Sequence, residues 1–88
     1  MKVYDLPIEM ISISNIKGGF PKPIRFRMQL NDEPMQVIKI DKIKVTNIIK
    51  TCGIVNQVYT CTSVINQTEK IYVLRFNTAS CAWVLYKI

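Results

Sequence analysis

Turn-forming residues punctuate this chain at short intervals, and that spacing leaves room only for short extended segments between them. They fall at Lys17-Gly18-Gly19, Pro21-Lys22-Pro23, Asn31-Asp32-Glu33-Pro34, Gly53, Asn66-Gln67 and Asn77-Thr78. Gly and Asn tolerate positive φ, and Pro cannot donate to a ladder. No stretch between them shows a 3.6-residue apolar period with caps. Asp41 to Lys50 comes nearest, because Ile43, Ile48 and Ile49 can share a side. Its Ile, Val and Thr are nonetheless strand formers. The pattern predicts an all-β chain, built as a small antiparallel barrel or strongly bent sheet of five to six strands. At 88 residues, positions 1–88 make one domain.

The clearest strand is Ile24 to Leu30. Ile24, Phe26, Met28 and Leu30 point one way, and Arg25, Arg27 and Gln29 the other. Before it, Ile8 to Ser14 has mixed alternation, as expected of a bulged or edge strand. After it, Met35 to Thr51 is too long for one flat strand, so a bend is expected near Asp41-Lys42, at a barrel corner. Gly53 ends that strand. Val55 to Ile65, Lys70 to Phe76 and Cys81 to Ile88 complete the six.

The last two strands are apolar on both parities, a pattern typical of covered strands. Tyr72, Leu74 and Phe76 form the more consistent core parity, and Trp83 is expected to join them. Ile71 and Val73, with Val84 or Leu85, then need another cover. Residues 1–16 carry Ile8, Ile11, Ile13 and Ile16. This segment is read as an N-terminal strand or covering segment, acting in cis or exchanged with a second copy.

Twelve Lys and Arg against six Asp and Glu give a net charge of +6. Such a balance suits nucleic acid, anionic lipid or an acidic protein. Nine of the cations are Lys, beside fourteen Ile and six Asn, so AT-rich coding is a sufficient origin for the charge. Arg25 and Arg27 sit about 7 Å apart on one strand face, near the separation of successive phosphates. Lys42 and Lys44 repeat the spacing, and Arg75 lies on a later strand. These five are the candidate nucleic-acid-binding residues, with weak, salt-sensitive binding expected.

Catalytic chemistry has little to work with. The chain has no His, which removes imidazole bases and imidazole zinc ligands. Asp41 has no second carboxylate near it in sequence and reads as a bend residue. Cys61 lacks the partner that would make it a thiolate. Cys52, Cys61 and Cys81 are odd in number and match neither a zinc ribbon nor a disulfide framework. Lys17-Gly18-Gly19 lacks a phosphate-loop pattern. No enzyme, cofactor or metal is therefore expected. Free thiols suit a reducing compartment, so the chain is read as cytoplasmic. Asp5, Pro7 and Glu9 interrupt the place of an apolar leader. The longest apolar run, Cys81 to Tyr86, is too short for a membrane-spanning helix.

Taken in order, Pro23-Ile24-Arg25-Phe26-Arg27, Ile38-Lys39-Ile40-Asp41-Lys42-Ile43, Val58-Tyr59-Thr60-Cys61, Tyr72-Val73-Leu74-Arg75-Phe76 and Trp83-Val84-Leu85-Tyr86-Lys87-Ile88 have a familiar arrangement. Across nearly the whole chain they resemble a family of small bacterial all-β proteins of uncharacterised function. A more distant similarity is to a small domain attached to repair-polymerase-like proteins. That second likeness implies a nucleic-acid role but transfers no site residues. The functional expectation is a small non-catalytic binding module that engages a protein partner or itself. The alternative is a nucleic-acid-binding barrel using a basic sheet face.

Overall fold

The computed structural model describes residues 1–14 and 17–88. Seven strands form one curled antiparallel sheet, a half-barrel: β1 Val3–Ile13, β2 Lys22–Met28, β3 Gln36–Lys39, β4 Lys42–Thr51, β5 Ile54–Ile65, β6 Thr68–Asn77 and β7 Ala82–Lys87. Their order is β3-β2-β1-β7-β6-β5-β4. No helix among the described residues is long and apolar enough to cross a membrane.

The fold class is the one the turn spacing predicts, with seven strands in place of five to six. The extra strand comes from the bend near Asp41. The long segment 35–51 divides into β3 and β4, which pair with opposite ends of the sheet. Two adjacent amides mark the switch. Ile40 N donates to Ile24 O in β2 at 3.0 Å, and Asp41 N donates to Thr62 O in β5 at 3.0 Å. The chain itself thereby joins the two ends of the sheet.

β1 produces much of the curl, because its two halves pair differently. Val3 to Ile8 pair with β7, and Glu9 to Ile13 pair with β2. Pro7 is paired with Val84 of β7, where β2 makes no ladder, so its missing N–H leaves no gap on that side. The segment is a strand within the sheet, and Leu6, Ile8 and Met10 pack against the core. It does not lie over the faces of β6 and β7 as a cover. The contact expected of Ile16 lies outside the described residues.

The core fills the concave side. Phe26, Met28 and Ile38 from β2 and β3 meet Tyr59, Cys61, Ile65, Tyr72, Leu74, Trp83 and Leu85 from β5, β6 and β7. Phe26 and Tyr72 meet edge to face at 5.6 Å, a favoured geometry for two rings. Trp83 stacks obliquely between Tyr59 and Phe76. Leu85 belongs to this core and Val84 to the opposite face. Val58 and Val73 are buried without belonging to the core cluster, so part of the outer face is shielded by its own neighbours. Ile71 and Val64 remain exposed there.

Hairpin turns follow from local chemistry. Asn66 and Gln67 both adopt positive φ between Ile65 and Thr68, as a two-residue turn of a right-twisted hairpin requires. Cys52 and Gly53 do the same between Thr51 and Ile54. In the β6–β7 connection, Asn77 Oδ1 accepts from Ala79 N and Ser80 N at 2.9 and 3.1 Å. Leu30 falls beyond β2 because its carbonyl accepts from Glu33 N, drawing it into the turn.

Candidate functional site

The convex face of β1, β2 and β3 holds the first pair of candidate cations. Arg25 and Arg27 are both exposed there, on the face opposite Phe26 and Met28. Cross-strand pairing adds to them. Lys39 lies opposite Arg25 on one side and Ile11 on the other. Val37 and Glu9 flank Arg27 in the same way, and Lys22 pairs with Ile13. Arg27 Nη2 forms an ion pair with Glu9. Both partners are largely exposed, so this pair contributes little to stability.

The face is thus mixed. Lys22, Arg25, Arg27 and Lys39 share it with exposed Ile11, Ile13 and Val37. Sequence reading alone missed Lys22 and Lys39, since only the strand register brings them beside Arg25 and Ile13. No aromatic residue pairs with Arg25 or Arg27 on this face. Tyr59 and Tyr72, whose rings could otherwise stack on a base, are core residues: Tyr59 donates to Pro21 O, and Tyr72 contacts Ser63.

Of the other candidate cations, Lys42 lines one surface groove with Lys22 and Lys39, whereas Lys44 and Arg75 stand apart. Lys42 opens β4 opposite Thr62. Lys44 is the extra residue where the β4–β5 register shifts between Ile43 and Val45, so it has no cross-strand partner. A bulge there breaks the regular Lys42–Lys44 row that the sequence spacing implies. Arg75 is half-buried on β6 between Val58 and Val84. Its guanidinium lies 3.5 Å from the Tyr86 ring centroid, a stacked cation–π contact. Arg75 is therefore engaged with Tyr86, three strand positions from Arg25 in the sheet order.

Where β3 passes into β4, a cluster of hydrogen bonds holds residues 39–41 against residues 62–64. Ser63 Oγ donates to Lys39 O at 2.7 Å, and Val64 N donates to Asp41 Oδ2 at 2.9 Å. Asp41 is thus a corner residue, joined to β5 through its backbone and its side chain.

Burial determines the protonation of three interior groups. The Cys61 thiol is pushed from 9.0 up to about 12 by burial, which leaves it protonated and unreactive at neutral pH. Burial, with Cys61 beside it, pushes the Tyr59 hydroxyl from 10.0 up to about 12. Burial also raises the Tyr72 hydroxyl. Gln57 Oε1 and Arg75 Nε are buried without a hydrogen-bond partner among the described residues.

β4 is the most exposed strand of the sheet. Every residue of β4 except Ile43 is exposed, including Val45, Ile48 and Ile49. Its ladder is to β5 alone. The chain matches no family model, no curated protein and no solved structure.

Proposed function

We propose that this chain is a small non-catalytic binding module that engages a protein partner or a second copy of itself. The observation that carries this reading is the placement of its exposed aliphatic side chains. Val45, Ile48, Ile49 and Ile54 gather on the β4–β5 hairpin, and Ile11, Ile13 and Val37 on the β1–β3 face. Solvent-exposed aliphatic residues in such groups favour association.

The test compares the natural chain with a variant carrying Val45→Ser, Ile48→Ser and Ile49→Ser. Sedimentation equilibrium at micromolar concentration reports self-association, and affinity enrichment reports partners. Association lost in a variant with an unchanged circular dichroism spectrum supports the reading. A chain that is monomeric and captures the same proteins with or without these residues contradicts it.

One observation favours a second reading, a nucleic-acid-binding half-barrel. Strand register gathers Lys22, Arg25, Arg27 and Lys39 on one face. The resemblance to a domain of repair-polymerase-like proteins points the same way. Binding through about three or four phosphates gives a log–log salt slope near −2 to −3 on single strands. Arg25→Ala with Arg27→Ala should flatten that slope; a slope unchanged by the double substitution contradicts this reading.

A further inference from the structure

We propose that the free edge of β4 accepts an extended acidic segment of a partner protein as an added strand; this deepens the binding-module reading and rests on it. β4 spans ten residues, Lys42–Thr51, with a backbone ladder on its β5 side only. An edge of that length presents unpaired N–H and C=O groups, the template for strand addition. Its side chains specify what fits. Val45, Ile48 and Ile49 occupy the middle, 49%, 62% and 39% exposed. Lys42 and Lys44 stand at one end and Lys50 at the other. From Lys42 to Thr68 the hairpin holds these three lysines and no Asp, Glu or Arg.

The complement is an extended segment with an apolar centre and acidic flanks. Because cations stand at both ends of β4, the acidic flanks match it in either chain direction. Charge also argues against a second copy as the occupant. Two β4 strands side by side would bring three lysines from each into one edge with no acid to offset them. Edge lysines and bulges are devices that hinder like-with-like pairing, and β4 has both. An acidic strand turns the same lysines into attractive contacts.

The probe is the synthetic peptide Glu-Glu-Val-Thr-Val-Thr-Val-Glu-Glu, titrated into the full chain and followed by backbone amide NMR and calorimetry. Three further peptides serve as controls: one with Lys in place of Glu, and two N-methylated at alternate positions of opposite parity. The expected result is amide shifts concentrated on β4, loss of binding with the Lys peptide, and loss with one methylated parity only. In an added strand only every second amide faces the protein. Losing several such bonds weakens affinity by at least about tenfold. Lys44→Glu with Lys50→Glu should weaken binding by about tenfold as well, with the circular dichroism spectrum unchanged.

Equal effects of both methylated parities would overturn strand addition, because charge alone would then hold the peptide. Shifts centred on Arg25 and Arg27 would overturn the β4 site and leave the binding-module reading standing. Absence of binding, with β4 amides protected by self-association, would identify a second copy and overturn the acidic occupant while supporting the broader reading. Absence of binding by a monomer overturns the inference; the broader reading is judged separately by the enrichment experiment on the serine variant.

Discussion

Tyr72 donates its phenolic proton to Ser63 Oγ across 2.5 Å, and the direction follows from the next bond along. Ser63 has one proton and gives it to Lys39 O. A buried relay therefore runs from β6 through β5 to β3, across the place where the two ends of the sheet meet.

That direction predicts an asymmetry between two variants. Ser63→Ala strands both the Tyr72 hydroxyl and the Lys39 carbonyl, at a cost of about 2–3 kcal/mol. Tyr72→Phe leaves Ser63 donating to Lys39 and should cost about 0.5–1.5 kcal/mol. Urea unfolding of both variants measures the difference. A larger loss in Tyr72→Phe than in Ser63→Ala would contradict the assigned direction.

Asp41 supplies a second prediction. Its carboxylate accepts from Val64 N, and it lies at an exposed corner. Asp41→Ala should destabilise the fold by about 1 kcal/mol, whereas Asp41→Asn retains an acceptor oxygen and should cost less. Equal unfolding midpoints for all three proteins would show that the corner bond contributes nothing.

Alkaline pH should unfold the chain progressively. Cys61 and Tyr59 are both raised in the folded state to about 12. The unfolded chain ionises them first, from 9.0 for the thiol and 10.0 for the phenol. Stability is thus fully present below those values and falls as pH climbs toward about 12. Cys61→Ala should move the onset upward, since the tyrosines alone then set it. Chemical denaturation at stepped pH checks this, and a stability flat across that range would contradict the burial of these groups.

The β4–β5 turn offers a stabilising change. Cys52 has φ +51° and precedes Gly53 at φ +78°. Asn accepts that conformation more readily than Cys, and Asn-Gly is the favoured pair for such a turn. Cys52→Asn should raise stability by about 0.5 kcal/mol, read as a higher thermal midpoint. A lower midpoint would show that the turn is held by something other than its own backbone preference.

Much of the architecture was legible because it rests on local chemistry. Phe26 and Met28 alternate with Arg25 and Arg27 in sequence as they do across the sheet. The bend at Asp41 was visible as an overlong strand with slipping alternation, and Gly53 marked its turn. β1 was partly legible: Ile8 to Ser14 read as a strand with a bulge, but its change of partners midway leaves no local periodic signature. The basic face was half legible. Arg25 and Arg27 share a strand, but Lys22 and Lys39 join them only through register, which sequence spacing does not encode. Arg75 looked like a free cation because nothing local announces its contact with Tyr86. The two-faced pattern of β6 and β7 is not covered by the N-terminal segment in cis, which is a strand of the sheet. Val73 is shielded within the sheet, and Ile71 simply remains exposed.

Everything proposed for β4 depends on its outer edge being open in the free chain. Amide hydrogen exchange along Lys42 to Thr51, measured on the full chain at micromolar concentration, tests this most directly. A strand paired on one side protects every second amide. The account predicts slow and fast exchange in alternation along β4 beyond the bulge at Lys44, with Asp41 N and Val64 N slow at the corner. Uniform protection of the whole strand would mean that its edge is already occupied, and would contradict the account.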